Sequence, residues 1–372
     1  IHDGVARGWA SLAPAAREQI EQGVLGLIGA HELDHAVQAK ACELLAALAK
    51  HDALDALADG DGGGDGGGNG GAPGSANRTS ARLISHASML FQLHERPRLV
   101  ALVLLSSLVH EFGSPADARG AGGTAAAMQQ AARLDFQARH LPALFDALVG
   151  LLRADMADAA APPDALVLVR SVALLATLLG WDFVGTTGAV GTAVGTAGVG
   201  GSDSGGGSGG ARPGLFAATV RPPPEWRGRV DSPELLACAW AHYARLRAVA
   251  DGAPSPIGGE RARSLEGALH ASRQLLVQLA SIHHSAFTSR EAHGAHVRSV
   301  GRSVVALAAT PLSPAAPTGP AAAIGEAIDM AQLAARLLAN SGADALGALP
   351  PAAGAELLSL IHISEPTRRT PI

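Results

Sequence analysis

The sequence predicts an all-α fold in which antiparallel helix hairpins stack into an α-solenoid. The first observation is composition: hydrophobic residues make up 48% of the chain but aromatic residues only 3%, so Ala, Leu and Val supply the apolar content. Ala and Leu favour helices, and strands favour the aromatic residues that are scarce here. The second observation is that apolar residues repeat with the helical period between the breaks. An all-β sandwich or barrel is therefore not expected, and 16% charged residues are too few for a wholly disordered chain.

Ten segments carry this helical period and predict the helices in chain order. The first covers residues 14–29, where Ile20, Val24 and Leu27 lie on one stripe. The second follows Asp34, whose carboxylate is suited to cap a helix. The remaining eight segments are 80–94, 97–112, 141–153, 164–182, 232–249, 261–284, 291–308 and 321–340.

Most of these helices are joined in pairs by short turns, and longer breaks separate the pairs. A hairpin of this kind buries its apolar face only against its neighbours, which is typical of repeat proteins. The sequence therefore predicts five complete hairpins in a right-handed stack within residues 1–357. A compact helical bundle is the structural alternative.

Three segments are predicted to lie outside this stack. Residues 59–78 and 185–214 are rich in glycine and are expected to form flexible insertions, because they cannot bury enough apolar area to offset their ordering entropy. Residues 358–368 read L-S-L-I-H-I-S-E-P-T-R, which matches a translated sequencing-library adapter, so 358–372 is expected to be non-native. Since the chain begins with Ile1, it is expected to be an internal fragment of a longer reading frame.

Charge and cysteine content narrow the classes of partner. The net charge of −5 means that the chain has no excess of positive charge with which to bind a phosphate backbone. Direct binding to nucleic acid is therefore not expected. Cys42 and Cys238 lie far apart, which excludes a disulfide framework and fits a reducing compartment. The most apolar stretch, 165–180, carries Arg170 and is shorter than the ~20 apolar residues of a bilayer span, so no membrane segment is predicted.

One motif suggests metal chemistry. His31, Glu32 and His35 match H-E-x-x-H, in which two histidines on one helix face bind zinc and the glutamate acts as general base. A cap at Asp34 would place a turn between the two histidines, so a zinc metallopeptidase is the remote alternative. We expect no metal, no cofactor and no catalytic residue. A second histidine group is expected to form an exposed turn between helices, with metal binding as the alternative: His283, His284, His293 and His296.

Six short motifs, in this order and spacing, resemble the exportin-4 and exportin-7 branch of the nuclear transport receptors, in the importin-β (karyopherin) superfamily. The motifs are residues 5–9 (V-A-R-G-W), 17–20 (R-E-Q-I), 98–112 (R-L-V-A-L-V-L-L-S-S-L-V-H-E-F), 179–186 (L-G-W-D-F-V-G-T), 224–232 (P-E-W-R…D-S) and 279–287 (L-A-S-I-H…F). The glycine-rich insertions depart from the family pattern and fall between repeats.

The resemblance implies a HEAT-repeat, armadillo-type export receptor without catalytic activity. Such a receptor binds Ran-GTP and protein cargo in the nucleus, contacts nuclear pore proteins and releases both partners in the cytoplasm, so it shuttles between nucleus and cytoplasm. Its concave surface is formed by the second helix of each hairpin. On that surface the candidate partner-binding residues are Lys40, Glu43, Lys50, His110 and Glu111. A Ran-independent helical-repeat scaffold is the alternative, and a solvated face is the alternative for the charges on the second helix.

Overall fold

The all-α prediction is confirmed. A computed structural model describes residues 8–9, 11–30, 33–60, 78–93, 95–113, 123–158, 166–181, 183, 220–252, 259–310 and 319–340. Within these ranges the chain forms twelve α-helices, and its extended pairing is limited to one parallel bridge between Val220 and Ile282. None of the helices in these ranges is long and apolar enough to cross a bilayer.

The helices alternate with short turns and with longer segments outside the described residues. The first seven are α1 (Pro14–Ala30), α2 (His35–Gly60), α3 (Arg78–Phe91), α4 (Glu95–Gly113), α5 (Gly123–Arg139), α6 (Leu141–Ala157) and α7 (Leu166–Leu179). The one-turn helix α8 (Arg227–Val230) comes next, and α9 (Pro233–Gly252), α10 (Gly259–Ala280), α11 (Arg290–Ala308) and α12 (Gly319–Asn340) complete the set.

All ten predicted helices are present, and two were not predicted. Helix α8 is a single turn, but α5 has 17 residues. Its sequence is rich in Ala, the strongest helix former, so helix propensity alone could have identified it. Helix α5 therefore interrupts the simple alternation of hairpins that the sequence predicts.

The predicted bounds of the first insertion were partly wrong. Asp59 and Gly60 belong to the last turn of α2, and Arg78 begins α3, so the predicted insertion 59–78 overlaps a helix at both ends. Residues 61–77 of this insertion, the whole of 185–214 and the tail 358–372 lie outside the described residues.

The chain divides into two compact units. The first consists of Ile1–Trp181, Ala241–Val249 and Gly258–Leu275, and the second of Asp182–Trp240, Ala250–Ile257 and Leu276–Ile372. The solenoid over the whole chain stays a prediction.

Helix α4 is the centre of the first unit. It contacts α2, α3, α5 and α7, and its buried side chains occupy more than one face of the helix, as a central helix requires. The pairs α1 with α2, α3 with α4 and α6 with α7 also pack together. The second helices of these pairs are therefore neighbours: α2 contacts α4, and α4 contacts α7.

The second unit contains α11 packed on α12 and a turn that precedes α9. In that turn the backbone N–H of Val220 donates to the carbonyl of Ser281 at 2.9 Å, and the N–H of His283 donates to the carbonyl of Val220 at 2.8 Å. The guanidinium of Arg227 donates to the carbonyl of Ser285 at 3.1 Å. These bonds hold residues 220–231 against the segment that joins α10 to α11.

Candidate functional site

A groove in the first unit runs across the second helices of its three pairs. Its volume is about 440 Å³, and its walls come from α2, α4 and α7. The lining residues are Ala39, Glu43, Val103, Ser106, Ser107, His110, Glu111 and Arg170. Three of the five predicted partner-binding residues, Glu43, His110 and Glu111, thus lie together in one groove.

Lys40 lies at the edge of this site on α2. Its side chain is 78% exposed, and its ammonium lies 2.6 Å from the Glu43 carboxylate, one helical turn away. Exposed pairs of this kind contribute well under about 1 kcal/mol to stability. Lys40 and Glu43 therefore remain available to a partner at little cost in folding free energy.

Lys50 has a different role from the one its position on α2 suggests. Its side chain is only 16% exposed. Its ammonium donates to the backbone carbonyl of Glu111 at 2.7 Å and lies 3.3 Å from the Glu111 carboxylate. The last carbonyls of a helix lack partners within the helix, and a cation is favourable there. Lys50 thus holds the C-terminal turn of α4, which carries His110 and Glu111, against α2.

Arg170 is the groove residue that was not among the predicted site residues. It is exposed on α7 and lines the groove together with residues of α2 and α4. Its signal in the sequence was a single charge inside the apolar stretch 165–180. Ser106 and Ser107 carried no comparable signal, because a serine inside a helix often bonds only the carbonyl four residues earlier, as Ser107 does with Val103.

The H-E-x-x-H motif lies at the junction of α1 and α2. His31 and Glu32 are outside the described residues, and His35 is the first residue of α2. The Asp34 carboxylate accepts a hydrogen bond from the N–H of Ala36 at 2.8 Å, so the predicted cap is confirmed. Among the residues that the structure describes, no group of three His, Cys, Asp or Glu side chains is placed to hold a metal ion.

The second histidine group is less exposed than expected. His283 and His284 lie in the predicted turn, with ring centres 3.9 Å apart, but His293 is buried in α11 against Phe287. The Nε2–H of His296 donates to the Leu279 carbonyl at 3.1 Å. Burial lowers the pKa of His296 to about 4. The expectation of an exposed turn was wrong for His293, because α11 turns this residue toward the core.

A buried ionisable cluster joins α6 to α9 in the first unit. The Arg245 guanidinium donates to both the carbonyl, at 3.0 Å, and the carboxylate of Asp155, at 3.1 Å. His242 lies 3.6 Å from the same carboxylate. Burial and the Arg245 charge lower the pKa of His242 to about 4, and burial raises the pKa of Asp155. His242 is therefore neutral near pH 7, and Arg245 is the charge partner of Asp155.

Together these features define an all-α protein of paired helices with a polar groove across three second helices. No protein-family model and no curated protein matches the sequence.

Proposed function

We propose that the chain is part of a nuclear export receptor of the exportin-4 and exportin-7 type, which binds Ran-GTP and protein cargo through the groove between α2, α4 and α7. The observation that carries the proposal is the adjacency of these second helices, which brings Glu43, His110 and Glu111 to one surface. A row of second helices is the surface with which repeat proteins bind their partners.

Contacts between the motifs of the first unit support the resemblance. The Trp9 indole, from the first motif, donates to the Asp52 carboxylate at 2.7 Å, and Arg17, from the second motif, lies 2.9 Å from the same carboxylate. Gly113, directly after the third motif, packs against Trp181 of the fourth. The first two motifs thus meet at Asp52 of α2, and the end of the third packs against the fourth.

The motifs of the second unit are joined in the same way. The fourth motif provides Phe183, whose ring lies 5.2 Å from the buried Trp226 of the fifth. The fifth and sixth motifs are joined by the hydrogen bond from Arg227 to Ser285. Segments that carry the resemblance thus pack against each other in this unit.

The proposed activity is binding, with no chemical step. Ran-GTP and cargo would each tighten the binding of the other by the same factor, because coupling between two binding equilibria is reciprocal. The chain would bind the GTP form of Ran in the nucleus and lose both partners when GTP is hydrolysed in the cytoplasm.

The test is capture of purified Ran, loaded with GTP or with GDP, by the immobilised chain. We expect clear preference for the GTP form. The variant Lys40→Glu/Glu43→Lys retains an ion pair on α2 but reverses the charges at the groove, so it should weaken capture without lowering the melting temperature. The matched control is Asp135→Arg/Arg139→Asp, which exchanges an ion pair on α5.

Two outcomes would contradict the proposal. Equal capture of both nucleotide forms would favour a Ran-independent helical-repeat scaffold. Equal loss of capture in the α2 and α5 exchange variants would show that the groove has no special part in binding. Glu111 is left unchanged in this experiment, because its substitution would also remove the partner of Lys50.

A further inference from the structure

We propose that the groove between α2, α4 and α7 recognises an acidic segment of a partner protein, and that Arg170 binds a carboxylate of that segment. This inference rests on the proposed function because it takes the groove to be a partner-binding surface. It goes further by naming the charge of the segment that binds there.

The first argument is the pairing of the charges that line the groove. Glu43 is paired with Lys40 at 2.6 Å, and Glu111 is paired with Lys50 at 3.3 Å. Arg170 lines the same groove and forms no ion pair within the described part of the chain. Both carboxylates that line the groove therefore have a counter-charge, and Arg170 is the charged lining residue without one in the described part of the chain.

The second argument is the set of hydrogen-bond donors beside Arg170. Val103, Ser106, Ser107 and His110 line the groove from one face of α4, as their spacing of three and four residues requires. The Ser107 hydroxyl donates to the Val103 carbonyl at 3.0 Å, which leaves the Ser106 hydroxyl and the His110 ring as polar groups toward the groove. A guanidinium with nearby hydroxyl and imidazole donors suits a carboxylate, which can accept several hydrogen bonds at once.

The third argument weighs against a basic segment as the occupant. A lysine or arginine placed beside Glu111 would compete with Lys50, whose side chain is mostly buried, for the Glu111 carboxylate. Displacing Lys50 would also remove its hydrogen bond to the last turn of α4, and this loss would offset part of the free energy of binding. A carboxylate at Arg170 breaks no contact within the described residues.

The groove is open enough to take a short segment of a protein. Its volume is about 440 Å³, and residues from three helices line it. A segment with one carboxylate at Arg170 and small neighbouring residues would fit, and the bidentate geometry of a guanidinium would fix its position.

The experiment measures binding of three fluorescent peptides to the chain by anisotropy. The peptides are about twelve residues long and consist of alternating Glu and Ser, alternating Lys and Ser, or Gly and Ser. We expect the acidic peptide to bind and its affinity to fall when salt is raised to about 0.15 M, since exposed charges are then screened. Arg170→Glu should weaken binding of the acidic peptide about tenfold or more, as expected for loss of a charged hydrogen bond.

The matched control is Arg302→Glu on α11, an exposed arginine that donates only to the backbone carbonyl of Arg298. This variant has the same change in net charge and should bind the acidic peptide like the unmodified chain. Equal weakening by both variants would mean that the peptide responds to net charge alone, which would overturn the proposal. Preference for the basic peptide, or binding of none of the three, would overturn it as well.

This test is independent of the capture of Ran. Binding of the acidic peptide through Arg170, together with equal capture of both Ran forms, would retain the acidic-segment site and remove the export-receptor proposal. Preference for Ran-GTP that is unchanged by Arg170→Glu would retain the receptor proposal and remove the site.

Discussion

Gly113, at the end of α4, lies directly against the indole of Trp181. A methyl group built on Gly113 would be 2.8 Å from Cζ3 of Trp181, which is closer than van der Waals contact permits. The indole cannot easily move away, because its Nε1–H donates to Gln137 at 3.0 Å and the Arg133 guanidinium lies 5.2 Å from its ring centre. Glycine at position 113 is thus required by the close approach of another side chain.

We expect Gly113→Ala to lower the free energy of unfolding by about 1–3 kcal/mol, the usual cost of overpacking a core. The control is Gly150→Ala in α6, where an added methyl meets nothing within 4 Å. This control should raise stability by about 0.5–1 kcal/mol, because alanine favours the helix. Urea unfolding of both variants measures the difference. Similar values for the two variants would show that the Trp181 contact is not restrictive.

Asp52 on α2 accepts three hydrogen bonds that hold the first hairpins together. They come from Trp9 at 2.7 Å, Arg17 at 2.9 Å and Thr79 at 2.6 Å. We expect Asp52→Ala to lower the free energy of unfolding by about 2–3 kcal/mol, because it leaves several partly buried donors unpaired.

The matched variant is Asp55→Ala, one turn further along α2. Its carboxylate also lies 2.9 Å from Arg17, but the side chain is 37% exposed. Loss of this pair should cost less than about 1 kcal/mol. Chemical unfolding followed by circular dichroism tests the ranking, and equal effects would contradict the central role of Asp52.

The two lysines of α2 should differ in their effect on stability. Lys50→Met removes the bond to the last turn of α4 and leaves Glu111 without its cation, so we expect a loss of about 1–2 kcal/mol. Lys40→Met removes only an exposed pair and should change stability by less than about 0.5 kcal/mol. Thermal unfolding of the two variants tests this difference. A larger loss of stability for Lys40→Met than for Lys50→Met would contradict the conclusion that Lys50 is the lysine that stabilises the fold.

His296 gives stability a dependence on pH in the acid range. Burial lowers its pKa to about 4 in the folded chain, against an ordinary value of about 6.5 in the unfolded chain. Between these values the unfolded chain binds a proton that the folded chain does not, so stability is complete above about pH 6.5 and falls as the pH drops toward 4. Gln at position 296 keeps an N–H donor for the Leu279 carbonyl but does not titrate.

We therefore expect His296→Gln to reduce the slope of unfolding free energy against pH between about 4 and 6.5, by up to about 1.4 kcal/mol per pH unit. Above about pH 7.5 the two proteins should have parallel profiles, which is the internal control. Urea unfolding across this pH range provides the measurement. If the slope of unfolding free energy against pH is unchanged in the variant, another group causes the loss of stability in acid.

The helices could be predicted from sequence because each carries its own signal. The apolar residues of α4 and α7 repeat within each helix, so neighbouring positions suffice to detect the pattern. The Asp34 cap likewise involves a partner only two residues away, Ala36. Helix α5 was not predicted because it follows a break and has no strong apolar stripe. Its place depends on Phe136, which packs between Phe112 and Trp181, and contacts between such distant residues cannot be read from spacing.

The candidate site could be predicted only in part for the same reason. Glu43, His110 and Glu111 lie together in the groove, on helices that the sequence predicts, and their role in binding stays a prediction. The role of Lys50 depends on the register of α2 against α4, which no local pattern contains. Arg170 could not be predicted as a groove residue, because its place there depends on the packing of α7 beside α4. The sequence shows only a charge that interrupts an apolar helix.

The clamp between Asp231 and Thr288 has a consequence for folding kinetics. The Asp231 carboxylate accepts hydrogen bonds from both the N–H and the hydroxyl of Thr288, across a sequence separation of 57 residues. Closing a chain of that length costs roughly 3–4 kcal/mol of entropy before any contact is gained. Contacts with such a separation form late, so Asp231→Ala should speed unfolding far more than it slows refolding. We therefore expect the clamp to affect how long the second unit persists once folded more than how quickly it forms.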